Sequence, residues 1–521
     1  MKKYNVFMLL LVLCANAFSQ SKFEENPVKY TPAHERLKSF QQRTEQFSLF
    51  ANLRFRSVGP AVMSGRVVDL EVNTSDPIVF YVAYASGGVW KTVNNGITFI
   101  PIFENQPCMT IGDIAVDWKK NVLYVGTGEN NSSRSSYAGT GIYKTTDDGK
   151  TWVHLGLAET HRTGRIIINP DNSDIIFVAA LGHLYSSNDE RGIYKSTDAG
   201  KTWKKVLYIN DYTGAIDISV NPADPDIMYA AMWDRERRSW DVKVAGTGSG
   251  IFKSTDGGES WTKLVNCGLP DGEGLGRIGL SVCESKPDVV YAVIDNNFTK
   301  PPEKVETDEK ELDANSKLFV TEIKGAEVYR SDDAGNSWKK THDEYLEGMF
   351  YTYGYYFANI RVSPDNPDKI YLLGVPLIKS YDGGKTFESA NGDNVHADHH
   401  ALWINPDKEG HLINGNDGGI NISYDDGLNW YKANSPPVGQ FYSVSIDNAK
   451  PYNIYGGLQD NGVWYGPSTN VENTDWHNTG QYPFKPLLGG DGMQVQVDLR
   501  DNDIVYTGYQ FGNYYRITKS V

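Results

Sequence analysis

The 521-residue chain has only four cysteines. Cys14 lies inside an N-terminal apolar stretch, which leaves Cys108, Cys267 and Cys283. Three thiols are too few, and odd in number, for a disulfide framework. They leave two readings open, a single Cys267–Cys283 bridge or small buried hydrophobes. Long apolar runs are also missing. The N-terminal run Val6–Leu13 is far below the ~20 residues of a membrane span, and no later stretch reaches that length, so no transmembrane segment is expected. Basic charge is in deficit as well, with 50 Lys+Arg against 65 Asp+Glu, a net charge of −15 and a pI of ≈ 5.2. That balance excludes a nucleic-acid groove, whose affinity comes from neutralising phosphates, and argues against an anionic membrane surface as partner. Helical periodicity is absent from the body of the chain.

What is abundant is glycine and aromatic residue: 51 Gly, 32 Tyr, 20 Phe and 12 Trp. Glycine supplies the positive φ of tight turns, and aromatics fill half-buried pleated faces. The start of the chain, MKKYNVFMLLLVLCANAFSQ, places Lys2 and Lys3 before the apolar run, with small residues Ala17 and Ser19 at a cleavage site. Residues 1–19 therefore read as an export signal, and Leu13 is too large for a lipoprotein site at Cys14. Residues 20–50 read as an N-terminal extension. The expected location is secreted, periplasmic or cell-surface.

A short pattern, Ser/Thr-x-Asp-x-Gly-x-Thr/Ser-Trp, recurs along the rest of the chain. Its copies are Thr92–Phe99, Thr145–Trp152, Ser196–Trp203, Ser254–Trp261, Ser331–Trp338, Ser380–Phe387 and Ser423–Trp430. The key acid or amide is Asn94, Asp147, Asp198, Asp256, Asp333, Asp382 and Asp425, at spacings of 53, 51, 58, 77, 49 and 43 residues. Each copy follows an alternating strand, a polar turn and a second strand, as in Arg165–Pro170 and Ile175–Ala180. Four short strands with their turns need about 45–50 residues, which predicts an all-β protein of repeated four-stranded antiparallel blades, a β-propeller. The Asp side chain caps its own turn as in an Asx-turn, so the six box aspartates are expected to be structural. Spaced ligands and a closing Glu are missing for an EF-hand at Asp256.

These boxes resemble the Asp-box, or bacterial neuraminidase repeat, families. The pattern is similar to sortilin-type propellers and, more distantly, to xyloglucanase-type glycoside hydrolases, over nearly everything from Leu53 onward. Past the seventh box the pattern weakens, with strands expected at 441–447, 454–464, 493–499, 504–508 and 514–517. Eight or nine blades are thus visible over 51–521. Either residues 50–56 supply the last strand of one ring, or the chain is part of a larger or double propeller.

Functional residues are sought on the rim opposite the boxes, where the loops at 128–140, 182–191, 233–248 and 296–326 are long. The charged core Glu303–Lys317 reads as a short helix or lid, and DRERRSWD at 234–241 as a basic-aromatic cluster. First strands line the axis, and their alignment places Arg66, Arg165 and Arg277 toward it, where arginine suits carboxylate recognition. The alternative is inter-blade ion pairing. The Arg-Ile-Pro signature of sialidases is absent. In Asn394–His400, an extended strand would put His396, Asp398 and His400 on one face, as metal ligands or as a hydrogen-bonded polar network. Carboxylates in Gly-rich turns, Glu129, Asp417, Asp460 and Asp491, are candidates for a glycosidase pair or for turn caps. The xyloglucanase-type pattern places an Asp two residues before a paired Gly in the first blade; here Ala85 precedes Gly87-Gly88.

The sequence alone favours an exported propeller that binds a protein, peptide or glycan on its loop-rich face, with no cofactor required and a membrane-associated protein among the compatible partners. A glycoside hydrolase and a metal-dependent hydrolase at His396–His400 are the alternatives. The geometry of the turn carboxylates decides between binding and hydrolysis.

Overall fold

A computed structural model describes residues 32–46, 56–301, 322–434, 436–473 and 475–520. The export signal read at 1–19 and the charged stretch Glu303–Lys317 lie outside the described residues, as do residues 50–55. One unit, Met1–Gln46, carries a helix, Ala33–Gln46. Pro32 stands just before it, where a missing N–H is harmless, and straight-chain Leu, Lys, Gln and Arg residues follow. The second unit, Phe47–Val521, carries the strands.

Eight sheets of that unit have four strands and one has three; strands pair in chain order, except that Met228–Asp234 pairs with Gly250–Ser254 past a two-stranded hairpin, Glu236–Arg237 with Val242–Lys243. Blade 1 is Val67–Val72, Phe80–Tyr84, Gly88–Thr92 and Ile100–Pro101. The first strands of blades 2 to 7 are Ile111–Asp117, Thr163–Ile168, Thr213–Val220, Leu275–Val282, Asn359–Val362 and His399–Ile404. Second strands such as Phe80–Tyr84, Ile176–Ala180 and Met228–Asp234 are buried along their whole length. They are apolar on both faces because a neighbouring blade covers each side, and each buried Val, Ile or Phe there contributes about 1.5–3 kcal/mol. The outermost strands are short; those at 100–101 and 153–154 have two residues each, which blunts the outer edges against further pairing.

Seven blades close the ring. The first strand of blade 1 packs against that of blade 7, and one core cluster joins Val67, Leu70, Phe80 and Val82 to Ala401, Ile413, Ile420 and Ile422. Gly415 permits the approach, since a Cβ there would lie 2.5 Å from Val67 Cγ1. The remaining sheets, beginning at Phe441–Ile446 and Val495–Val497, stand outside the ring and share their own core of Tyr455, Val463, Val495 and Val505. Nine blade-like sheets are therefore present among the described residues, against the eight or nine expected, and they are divided as seven and two.

The box turns hold themselves together through short-range bonds. Asp147 Oδ1 accepts from Thr151 N at 2.9 Å and from Thr145 Oγ1 at 2.8 Å, and Oδ2 accepts from Thr151 Oγ1 at 2.6 Å. Asp198, Asp256, Asp333, Asp382 and Asp425 repeat the pattern. The closing tryptophan then reaches the blade before it: Trp152 Nε1 donates to Ile102 O, Trp203 to Leu155 O and Trp430 to Ala390 O, at 3.0, 2.7 and 2.8 Å. Cys267 and Cys283 are free thiols, so the bridge reading is set aside.

Candidate functional site

Four Gly-rich turns meet on the rim opposite the boxes. Glu129 follows the second strand of blade 2, Asp417 is in the second turn of blade 7, Asp460 is in the corresponding turn of the eighth sheet, and Asp491 leads into the ninth. Arg66, just before the first strand of blade 1, ties the first three together. Its Nη1 lies 2.6 Å from Glu129 Oε1, its Nε 3.2 Å from Asp417 Oδ1 and its Nη2 3.8 Å from Asp460 Oδ2. The Tyr356 ring lies under the guanidinium, 4.6 Å from Cζ. His400 Nε2 lies 2.9 Å from Asp417 Oδ1, and Tyr356 donates its hydroxyl to Asp417 Oδ2 at 3.2 Å.

This network divides the carboxylates into two kinds. Burial alone would raise Asp417, but Arg66 and His400 outweigh it and hold the carboxyl well below its ordinary value. Asp398 and Asp460 lie in front of it, and no side-chain donor bonds their carboxylates among the described residues. One oxygen each of Asp398, Asp417 and Asp460 fall within 4.8 Å of one another. Burial, and then the fixed charge of Asp417, push Asp398 up to about 7 and Asp460 well above the carboxylate range. Both residues have left-handed backbones, with φ of 67° and 61°, a conformation Asp tolerates better than most side chains. Asp491 Oδ1 accepts from Asp460 N at 2.8 Å and so fixes that turn. Half-exposed Tyr442 stands beside Asp491 and Asp460, and Tyr353 near Asp398 and Asp491. The result is an acidic floor between aromatic walls.

The expected His396–Asp398–His400 face does not form. The strand begins only at His399 and Asp398 is left-handed, so the alternation that would align the three is broken. His396 Nε2 instead faces Asp460 O at 2.8 Å, while His400 is buried against Asp417. The three arginines do not converge either. Arg165 is locked in the axial channel by Asp113, Asp217 and Asp69, at 2.9, 3.1 and 3.6 Å. Arg277 donates to Asn131 Oδ1 and to the carbonyls of Tyr355 and Tyr356. Arg66 and Arg165 thus act as the inter-blade ion pairs of the alternative reading. The channel widens toward the boxes into a cavity of ≈ 500 Å³ lined by Asp69, Glu71, Arg165, Asp217 and Arg361. In the 234–241 cluster Arg235 and Arg237 are buried, Arg238 pairs with Glu236, and Trp240 is 85% exposed.

Tyr353, Tyr356 and Tyr442 are the residues the sequence reading overlooks. The run Tyr351-Thr-Tyr-Gly-Tyr-Tyr356, directly before the first strand of blade 6, was the available signal for the first two. A second donor group, Glu159, His161 and His183, also has ligand atoms within 4.8 Å of one another.

A family model described as "Sortilin, neurotensin receptor 3" matches residues 140–267. A xyloglucanase from Paenibacillus sp is 23% identical over 42% of this chain and 22% of its own length; Xyloglucanase Xgh74A from Acetivibrio thermocellus is 23% identical over 43% and 27%. The chain thus matches about a quarter of the length of these relatives. Among solved structures, the GH74 xyloglucanase from Xanthomonas campestris superposes with a TM-score of 0.56 at 15% identity, over 89% of this chain and 74% of that one. An ancestral GH74 enzyme gives 0.57 at 14%, over 90% and 69%. The protein is a β-propeller similar to sortilin and to the xyloglucanases. At these identities the structural likeness speaks for the fold.

Proposed function

We propose that this protein is an exported glycan hydrolase working in the cleft between blade 7 and the eighth sheet, with Asp460 as proton donor and Asp398 as the second carboxylate. The observation that carries the reading is the state of this pair. Two carboxylates that accept no side-chain hydrogen bond among the described residues, Asp398 and Asp460 (the latter 3.8 Å from Arg66 Nη2), stand together beside an ionised third, Asp417. Like charges so close cannot all ionise, so a proton is held in the pair near neutral pH. A carboxylic acid kept protonated there can protonate a glycosidic oxygen, and its ionised neighbour can stabilise or attack the cationic centre or activate water. Tyr353 and Tyr442 supply faces for a sugar ring. No cofactor is required.

Binding without turnover is the second reading. It is supported by the sortilin match over 140–267, whose loops display Tyr185 and Trp240 at 46% and 85% exposure. The two readings separate on one experiment. Xyloglucan and other β-glucans are incubated with the protein and new reducing ends are measured, alongside glycan and peptide arrays. Release of reducing ends that Asp460→Asn lowers by about 10²-fold or more supports the hydrolase. Array binding with no release on any glucan overturns it in favour of the receptor.

A further inference from the structure

The three acids that hold Arg165 in the axial channel also have a structural task. Asp69, Asp113 and Asp217 accept the backbone amides of Ile114, Ile166 and Leu280 in the following blades, at 3.0, 2.6 and 2.9 Å, so each stitches two first strands together. Glu71 has no such task. It lies two residues past Asp69 on the first strand of blade 1, on the same face of that strand, and lines the ≈ 500 Å³ cavity at the box end of the channel. Among the described residues its carboxylate makes no hydrogen bond or close ion pair, and only burial and the charges of Asp69, Arg165 and Arg361 act on it.

Charge and shape set what this cavity can take. Five carboxylates, Asp69, Glu71, Asp113, Asp217 and Glu284, stand at or beside it against two guanidiniums, Arg165 and Arg361. Burial, then Asp69, raises Glu71 well above the carboxylate range although both arginines pull it down, and burial raises Asp69 and Asp113 too. The balance favours a guest with more than one positive charge. Among the described residues the acids of the cavity do not bring three donor atoms within 4.8 Å of one another, as a metal ion needs. The wall between the charges is apolar, with Ile114, Ile167, Leu280 and Leu402 in it, and suits methylene groups. Blades 2 and 7 both pack on blade 1, and each brings a half-buried tryptophan to the cavity, Trp118 and Trp403. Trp118 stacks on Tyr81 and Trp403 meets His411 edge-on, each at 5.4 Å, which braces the indoles. Indole faces attract ammonium groups.

We propose that the box-side cavity of the axial channel binds an aliphatic polyamine, with an ammonium group on Glu71 and the methylenes along the isoleucine and leucine wall. The site lies on the rim opposite the acidic cleft and is independent of the hydrolytic reading. The test titrates spermidine into wild type and Glu71→Gln by calorimetry at physiological ionic strength, where exposed charges are screened. Octanediol serves as an uncharged chain and magnesium chloride as a control for bulk charge. The expected results are one saturable site per chain in wild type, at least about tenfold weaker binding in Glu71→Gln and no binding of octanediol. Spermidine should also raise the wild-type Tm where magnesium at equal ionic strength does not. Without ligand Glu71→Gln should be at least as stable as wild type, since an amide replaces an unpaired carboxylate. No saturable binding, many weak sites that magnesium displaces, or unchanged affinity in Glu71→Gln overturns the proposal. Should the variant fail to fold, wild-type crystals grown with spermidine decide: chain-like density beside Glu71 supports the site, and a difference map without it overturns the site.

Discussion

Arg66 and Asp417 meet across the closure of the ring, blade 1 to blade 7, with Nε 3.2 Å from Oδ1 and side chains 4% and 1% exposed. The contact joins structure to chemistry, because the arginine that seals the ring also fixes the charge behind the Asp398–Asp460 pair. Removing it leaves Asp417 and Glu129 buried without a cation. Arg66→Met is expected to cost about 3–5 kcal/mol, read as a fall in the denaturant midpoint. Arg66→Lys should recover part of that loss, since a point charge restores neutrality but not the three-way fork.

The pH dependence of stability follows from the direction of each shift. The Asp398 carboxyl is raised in the folded state to about 7, so between its ordinary value and 7 the folded protein binds more protons than the unfolded one. Stability contributed by this group falls as pH rises through that window. Asp398→Asn should therefore be more stable than wild type above pH 7, by on the order of 1–2 kcal/mol after allowance for solvent screening, and equal to it near pH 4. Asp417 behaves oppositely. Its depressed carboxyl contributes stability above the ordinary carboxylate value, and that stability is lost as pH falls through the acid range. Urea midpoints measured across pH for wild type and Asp398→Asn check both signs.

The box aspartates should separate folding from chemistry. Asp198 receives bonds from Ser196 Oγ, Thr202 N and Thr202 Oγ1 at 2.8, 2.9 and 2.7 Å, and those to Thr202 hold it down to about 2. Asp198→Ala should lower the unfolding midpoint and leave activity per folded molecule unchanged.

Gly128 carries Glu129 into the network at φ 89°, where a Cβ would lie 1.8 Å from the backbone oxygen of His161. No side-chain motion relieves a clash with backbone. Gly128→Ala is expected to cost upwards of about 2 kcal/mol, visible as a loss of Tm, with the activity lost in parallel because Glu129 shifts away from Arg66.

The blades and their turns are legible in the sequence because their code is local. An Asp at one position bonds a residue four places on, and a Trp follows at the fifth. Closure after seven blades is not legible, since it depends on Val67 meeting Gly415, and the repeat pattern runs on past that point without a break. The site is partly legible in the same sense. Gly-rich turns single out Glu129, Asp417, Asp460 and Asp491, but the convergence of the first three on Arg66 is a property of the ring. Asp398 is marked by its histidine neighbours for the wrong reason: the extended strand assumed there starts one residue later, and a left-handed turn aims the carboxylate at Asp460 instead. Tyr442 carries no local mark at all. It stands at the start of a strand in which Phe441, Val444 and Ile446 are exposed as well.

The central claim is that Asp460 donates a proton to a glycan. It is tested most directly by the rate of reducing-end release from xyloglucan and related β-glucans at matched concentrations of folded wild type, Asp460→Asn and Asp198→Ala. The account predicts turnover by wild type and Asp198→Ala alike, and a loss of about 10²-fold or more in Asp460→Asn. Full activity in Asp460→Asn would contradict it.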